Sequence, residues 1–427
     1  MLRRTALAGG GTFLAGRAPA VAESIARPPS EKLNIAFVGV GGRGRANSHG
    51  LSSENIVALC DVDDDRAGDA YQRFPKAKKY YDFRRMLDEM DKQIDAVVVS
   101  TPDHTHFHPS YMAVQMGKHC YTEKPLCHTL REVRELTRLA AEKKVVTQMG
   151  CQRHAFEKVH RVVEVLRSGA IGEVRECHTW MNGERGMPPI PTDKPAVPST
   201  LKWDLWLGPA AERPYSPAYV PYDWRWWWDF GTGETGNWGC HLVDVPYWAM
   251  ELKYPRRVEV VGPPVHPQTT SKWMTSRLEF PARGEKPPFT LHFHHSKEPP
   301  RAWKEYNIRG DEGRSNLFIG SKGQLLSHFH DYKLYPEKDF ADFEPPPKSI
   351  PDSPGFYNEW LRATKGDKTP PTCGFDYSGP LTEVILLGNT SYRAGKSFDW
   401  DGENFQASEM EALAPYMSSE FRKGWEV

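Results

Sequence analysis

Hydrophobic and polar positions follow two different textures along this chain. Between residues 31 and 150, short apolar runs recur at Leu33–Val38, Ile56–Cys60, Ala96–Ser100, His119–Thr122 and Val145–Met149. Runs of this length read as buried strands. Segments with helical spacing lie between them. In Thr129–Lys143, apolar residues fall at Leu130, Val133, Leu136, Leu139 and Ala140, one stripe of a helical repeat. Alternating strands and helices predict a parallel, doubly wound sheet of the Rossmann type. Ligands of such sheets bind beyond the strand C-termini, where Gly39–Gly44, Thr101–His106 and Glu123–Pro125 fall.

After about residue 151 the pattern changes. A helix is predicted at Glu157–Arg167 and a strand at Val174–Trp180, followed by a proline-rich loop, Met187–Pro198. An aromatic segment, Trp224–Phe230, leads into a glycine-rich stretch, Gly231–Gly236, and a further helix is expected from near Asn237. Strands then recur at Val258–Val261, Ser276–Phe280, Thr290–His294 and Asn316–Gly320, separated by turns rich in Pro and Gly. Strands joined mainly by turns predict a largely antiparallel sheet. Pro345–Pro354 reads as a linker-like loop, and Phe356–Thr364 and Leu381–Arg393 as closing helices. There is no internal repeat and no low-complexity tract.

Composition narrows the partners. A chain of 427 residues has room for two or three domains. The 55 basic and 55 acidic side chains balance, which argues against nucleic-acid binding. The seven scattered cysteines form no C-x-x-C pair and no disulfide framework. The first residues read as an address label: Arg3-Arg4, a short small-residue apolar stretch from Ala6 to Ala15, and a small-x-small site at Ala20-Val-Ala22. That stretch is too short to cross a bilayer, so no membrane span is expected. The paired arginines point to twin-arginine export and a periplasmic or secreted location. Removal of residues 1–22 takes three arginines with it and leaves a formal charge of 0 − 3 = −3.

The chemistry concentrates first at Gly39-x-Gly41-Gly42-Arg43-Gly44, which closes the first strand and opens a helix-compatible segment. Seventeen residues past Gly44, the second strand ends at Asp61. This is the strand–turn–helix–strand–acid arrangement of a dinucleotide site. Gly39 allows the tight turn, Gly41 lets the backbone approach a pyrophosphate, and Gly44 lets the helix sit close to the strand. The diphosphate would lie at the helix N-terminus, where free N–H groups favour negative charge. Asp61 would accept hydrogen bonds from ribose hydroxyls and repel a 2′-phosphate, which favours NAD(H) over NADP(H).

With Thr101-Pro102-x-x-x-His106, Glu123-Lys124-Pro125 and Gly236-Asn237-x-x-x-His241-x-x-Asp244 following in order, the chain resembles the glucose–fructose oxidoreductase/inositol dehydrogenase (Gfo/Idh/MocA) family. The resemblance covers nearly everything after the leader and looks like a secreted branch. It implies an α/β fold in three parts: an export signal and linker over 1–30, an NAD-binding Rossmann domain over 31–152, and a substrate-binding and oligomerisation domain over 153–427. The last of these would be built on a large open sheet, with its final helices returning to the first domain. By the same analogy a homodimer or homotetramer is expected.

The resemblance also assigns roles. Lys124 is the expected base for a substrate hydroxyl proton; desolvation and a cationic nicotinamide would both lower its pKa. A cis Lys124–Pro125 bond would fix its aim. His241 is the second candidate for proton transfer, and Asp244, one turn on, is expected to orient it. Thr101, Pro102, His106 and Glu123 would close around the cofactor. Arg153, His154, Trp224, Trp227 and Asp244 are expected to reach a carbohydrate, with Arg225 and Asp229 supplying hydrogen bonds. For the Trp-rich segment an inter-domain or subunit contact is the equal alternative. Asn237 departs from the family, where Asp is common. An amide takes no proton and holds no negative charge, so Lys124 would lack a carboxylate partner. The histidine runs 103–108 and 292–295 are not expected to converge on a point, so no metal is assigned.

Three activities remain open. One is an NAD-dependent oxidoreductase acting on a sugar or sugar-derived hydroxyl with retained cofactor. Another is an NAD-dependent glycoside hydrolase working by transient oxidation, elimination, hydration and re-reduction. The third is a nucleotide-loaded sugar-binding protein without catalysis.

Overall fold

The computed structural model describes residues 31–426, and the leader with its expected export signal lies outside them. All five apolar runs of the first half become strands of one sheet: β1 (Asn34–Val38), β2 (Asn55–Cys60), β4 (Ala96–Val99), β5 (His119–Glu123) and β6 (Thr147–Gly150). A sixth strand, β3 (Lys78–Tyr80), was not expected. Its two lysines are exposed and only Tyr80 is buried, as befits a short charged edge. The order is β3-β2-β1-β4-β5-β6 with every pair parallel. The order reverses between β1 and β4, which opens a crevice at the strand C-termini. The helix Leu130–Lys143 starts at Thr129, whose side chain and that of Glu132 form a reciprocal capping box.

The second sheet has nine strands. Four are the expected ones, extended by a residue or more at one or both ends: β7 (Val174–Asn182), β9 (Met274–Phe280), β10 (Phe289–Ser296) and β11 (Ser315–Gly320). β8 (Arg257–Val261) was also expected. β12 (Gln324–Ser327), β13 (Tyr332–Tyr335), β14 (Phe398–Asp401) and β15 (Gln406–Ala407) were not, being too short to show a period. The order is β13-β12-β11-β7-β10-β9-β8-β14-β15, and only β7 and β10 pair in parallel. The helices Gly233–Ala249 and Phe375–Ala394 cover one face, burying Cys177, Leu278, Leu291, Phe293 and Phe318. The other face carries half-buried polar residues, among them Glu176, His178, Arg277, His292 and His294.

The helix expected near Asn237 begins at Gly233. Gly233 and Gly236, expected in the glycine-rich stretch before the helix, are its first residues, and Gly239 within it serves packing. A Cβ on Gly239 would meet Ile385 at 3.1 Å, so glycine lets two long helices cross closely. The helix Phe356–Thr364 packs against residues of the parallel sheet and its first helix. Tyr357 donates to Asn47 Oδ1 at 2.8 Å, Trp360 Nε1 donates to the Val146 carbonyl at 3.4 Å, and Lys365 pairs with Glu54 at 2.7 Å. Among the described residues no helix is long and apolar enough to cross a membrane.

Candidate active site

The glycine turn is built for close approach. Gly39 has φ +81°, and a Cβ there would stand 2.8 Å from the Ser100 carbonyl carbon and oxygen. A Cβ on Gly44 would stand 2.1 Å from the Gly39 carbonyl oxygen. The helix Arg43–Gly50 therefore sits directly on the strand end. Its N-cap, Gly42, offers no side-chain acceptor; Gly44 N–H turns back to the Gly41 carbonyl at 2.9 Å, and the positive end of the helix opens on the crevice, where it favours an anion. Arg43 and Arg66 flank that opening. Arg66 escaped the sequence reading because nothing local marks it. Its guanidinium lies 3.0 Å from where a Gly42 Cβ would be.

Asp61 closes the other side. Its Oδ2 accepts from the N–H groups of Val40 (2.8 Å) and Gly41 (3.2 Å), and Oδ1 accepts from Asp63 N–H (3.1 Å). Burial pushes its carboxyl above the usual value, against these three donors. His106 clasps the next two loops: Nδ1 meets the Pro125 carbonyl at 2.7 Å and Nε2 the Thr101 carbonyl at 2.9 Å. Glu123 Oε1 gathers Arg43 Nε (3.2 Å), Asn47 Nδ2 (3.0 Å) and Gln152 Nε2 (2.8 Å), tying the end of β5 to the phosphate-side helix. Thr101 Oγ1 is buried with no partner and belongs to the cleft wall. An orphaned hydroxyl, a glycine cradle, a helix N-terminus opening on the cleft and an acid at the end of β2 together fit a dinucleotide.

The cleft, about 600 Å³, runs without a break from Gly39 and Asp61 through Thr101 and Pro102 to Lys124, Asn237 and His241. The Lys124–Pro125 bond is cis. Lys124 Nζ donates to the Asn237 backbone carbonyl at 2.6 Å, with Asn237 Oδ1 at 3.5 Å. Burial lowers the Lys124 pKa; Asp103 works against this and Arg225 adds to it. Asn237 Oδ1 also accepts from Arg225 Nε at 3.3 Å, and its Nδ2 donates to Glu234 Oε2 at 2.9 Å. Glu234 is paired in turn with Arg185. Among the described residues the lysine thus has no direct carboxylate partner, and its contact with Asn237 leads through the amide to Glu234. Neither Glu234 nor Arg185 was singled out from sequence.

His241 Nδ1 lies 3.5 Å from Cys151 Sγ. Burial, Lys124, Arg153 and Arg43 hold its pKa well below the ordinary imidazole value, so it faces the cleft as a neutral ring. Arg153 also lines the cleft, stacked 3.9 Å from the Phe329 ring centroid and 5.0 Å from that of Trp238, with no carboxylate partner among the described residues. Trp224 lines it too, beneath Arg225.

Several expected contacts are corrected. Asp244 does not orient His241. It accepts from His154 Nδ1 at 3.0 Å and from Tyr377 Oη at 2.6 Å, and it is 1% exposed. His154 is likewise buried, stacked on Trp248, so neither reaches the cleft. Trp227 is fully buried in a ring-rich core with Trp206, Tyr219 and Phe230 and donates to the Ala218 carbonyl. The aromatic segment is therefore mostly packing, with Trp224 its cleft-facing member; Asp229 is paired with Arg213 instead. His104, His106 and His108 bond different backbone carbonyls and do not converge. The run 292–295 behaves otherwise: His292 and His294 come together with His178 on the open sheet face.

Comparison with known proteins agrees with this geometry. Residues 33–151 match the family model described as the NAD-binding Rossmann fold of the Gfo/Idh/MocA oxidoreductases, and residues 178–284 match that family's C-terminal alpha/beta domain. An inositol 2-dehydrogenase of Saccharopolyspora erythraea is 29% identical over 181 residues, 40% of this chain and 52% of the relative. A 2,7-anhydro-N-acetylneuraminate hydratase of Escherichia coli is 25% identical over 151 residues, 35% of this chain and 40% of the relative. The chain spans between about a quarter and about a half of the length of the curated relatives it matches. Among solved structures, the WlbA dehydrogenase of Bordetella pertussis in complex with NADH and UDP-GlcNAcA superposes with a TM-score of 0.63 at 16% identity, covering 87% of this chain and 99% of that one. An inositol dehydrogenase homolog of Azotobacter vinelandii, complexed with NADH and myo-inositol, gives 0.59 at 17%, covering 88% and 100%. At these identities the likeness carries the fold.

Proposed function

The chain belongs to the Gfo/Idh/MocA family of NAD-binding oxidoreductases, and from that premise we propose that it moves a hydride between tightly held NAD(H) and a secondary hydroxyl of a sugar or sugar derivative. The observation that carries this is the position of Lys124. Its amine is buried and held on the Asn237 carbonyl, with a neutral His241 lining the same cleft as the glycine turn. NAD supplies the hydride acceptor when bound. The glycine turn, Arg43 and Arg66 would hold its diphosphate, and Asp61 its ribose. Lys124, once neutral, takes the hydroxyl proton as the C–H bond breaks. His241 holds or relays that proton, and Arg153, Arg225 and Trp224 orient the sugar.

A second reading has its own support. Lys124 and His241 can act as an acid and base on opposite steps of elimination and hydration, which would make the protein a glycosidase that uses NAD transiently. The similarity to a hydratase favours keeping it. A non-catalytic sugar-binding role is the third outcome. Export through the Arg3-Arg4 leader and pairing of copies through the open sheet face belong to the same proposal, supported by the sequence of the leader and by a sheet with helices on one face.

The test is direct. The purified protein is examined for retained NAD(H) by absorbance and offered a panel of sugars and aryl glycosides. Lasting NADH formation is expected. Release of aglycone without net NADH would establish the hydrolase instead, and sugar binding with neither would establish the sensor. Lys124→Ala is expected to lower turnover by about 100-fold or more while leaving NAD affinity within about threefold. Unchanged turnover would remove Lys124 from the mechanism.

A further inference from the structure

Away from the cleft, three imidazoles meet on the open face of the second sheet. His178 stands on β7, and His292 and His294 on β10. In the parallel register His292 lies directly opposite His178. Residues two apart on a strand share a face, so His294 joins them. Each offers a ring nitrogen within 4.8 Å of the others, and among the described residues this is the one such group of three. His178 and His292 are 14% and 16% exposed in their side chains, sheltered yet reachable from solvent.

The surroundings fix the tautomers. Glu176, on the same face of β7, places Oε1 3.1 Å from His178 Nε2 and 2.9 Å from His292 Nε2. A carboxylate accepts only, so both Nε2 atoms carry the proton and both Nδ1 atoms keep lone pairs. His178 Nδ1 faces His294 Nε2 at 3.0 Å, and His294 Nδ1 faces Thr275 Oγ1 at 3.2 Å. Without metal, His294 Nε2–H satisfies His178, and the threonine hydroxyl satisfies His294. The nearest cation on this face, Arg277, opposite His292, is occupied by Glu259 and Glu279.

We propose that His178, His292 and His294 form a zinc site on this sheet face, with Glu176 holding two of the ligands from behind. Zinc binding releases no net proton: His294 changes tautomer, its N–H passing through solvent from Nε2 to Nδ1, where it donates to Thr275 Oγ1. Nitrogens bound tetrahedrally to zinc stand roughly 3.3 Å apart, so His178 and His294 separate by a few tenths of an ångström and His292 tilts out of its stack on His178. Water or a group from another molecule completes the tetrahedron. Carboxylate–histidine–zinc pairing is the usual way to orient such ligands and raise their basicity. The ion would cross-link β7 and β10, the parallel pair at the middle of the sheet.

The full-length protein is stripped with a chelator and titrated with Zn²⁺ against a chromophoric competitor. Wild type is expected to take up about one equivalent per chain with a Kd of roughly 1 µM or tighter. His178→Ala and His292→Ala should each weaken binding by about 100-fold or more, and Glu176→Gln by about 10- to 100-fold. Metal-free Tm values equal to that of metal-free wild type show that these variants fold. Should one fail to fold, zinc-edge absorption on the loaded wild type decides, with imidazole scattering at about 2.0 Å expected. No uptake at 100 µM zinc (an order-of-magnitude ceiling far above the expected Kd), uptake untouched by the variants, or a sulfur shell from the buried cysteines would overturn the site.

Discussion

Burial strips water from the Lys124 ammonium and Arg225 repels it, while Asp103 and Glu123 pull the other way; the net direction is downward. A base with a lowered pKa is neutral over more of the working range, so hydroxyl oxidation should rise with pH and level off below the ordinary lysine value. Asn237→Asp would set an anion beside Lys124 and stabilise its protonated form. The rising limb of kcat/KM is then expected to move to higher pH by about one unit, with NAD affinity within about threefold. A profile that stays in place, or moves to lower pH, contradicts this assignment. The lysine, its asparagine and His241 were legible in the sequence because each belongs to a short spaced motif. Arg66, Glu234 and Arg185 were not, since their meaning comes from contacts that no local spacing announces. Asp244 misled for a related reason. Helical spacing does bring it near His241, but His154, 90 positions away, takes the carboxylate first.

Among the elements, the glycine turn shows most plainly what local sequence can encode. The strand must end, turn and feed a helix within a few residues, and only Gly44 lets that helix rest on the Gly39 carbonyl. Gly44→Ala is expected to push the helix off β1, cost about 1–3 kcal/mol of stability and weaken NAD binding by about tenfold or more. The fitting comparison is Gly68→Ala on the helix Asp64–Arg73, where an added Cβ meets nothing within 4 Å. That change should instead stabilise by about 0.5–1 kcal/mol. Paired denaturant and NAD titrations on the two variants check the contrast; equal behaviour would mean the close approach is not real. Period and length made the long strands and helices readable. β3 and β12 to β15 were missed because two to four residues carry no period, and because pairing partners such as β8 with β14 lie far apart in sequence. Gly233 and Gly236 set the expected helix start too late because glycine disfavours helices in isolation. The packing value of Gly239 appears only when Ile385 of the helix Phe375–Ala394 is in place.

At the scale of the whole molecule, distant segments share one buried polar centre. His154 follows the last Rossmann strand, Asp244 lies on the central helix of the second domain, and Tyr377 comes from a helix that returns late in the chain. Burial would depress the His154 pKa, but the Asp244 carboxylate more than offsets it, and the imidazole ends above its ordinary value. The sign of the linkage follows. A histidine whose folded pKa exceeds its unfolded value of about 6.5 stabilises the fold fully below that value and loses the contribution as pH rises through the folded pKa. Asp244→Asn leaves the imidazole and the tyrosine hydroxyl facing an amide that cannot hold the charge. The loss is expected to be about 3–5 kcal/mol near pH 6, where wild type gains most. It should shrink as pH climbs past the raised pKa, because the neutral imidazole needs the anion less. Urea midpoints for both proteins between pH 6 and 9 check this, and a gap that stays constant or widens toward alkaline pH would show that His154 is not charged in the folded state. Because His154 N–H also donates to the Cys151 carbonyl at 3.0 Å and Cys151 Sγ lies 3.5 Å from His241 Nδ1, failure of the pair at high pH should loosen the floor beneath His241 as well, so retained NAD and global stability are expected to decline together over that range.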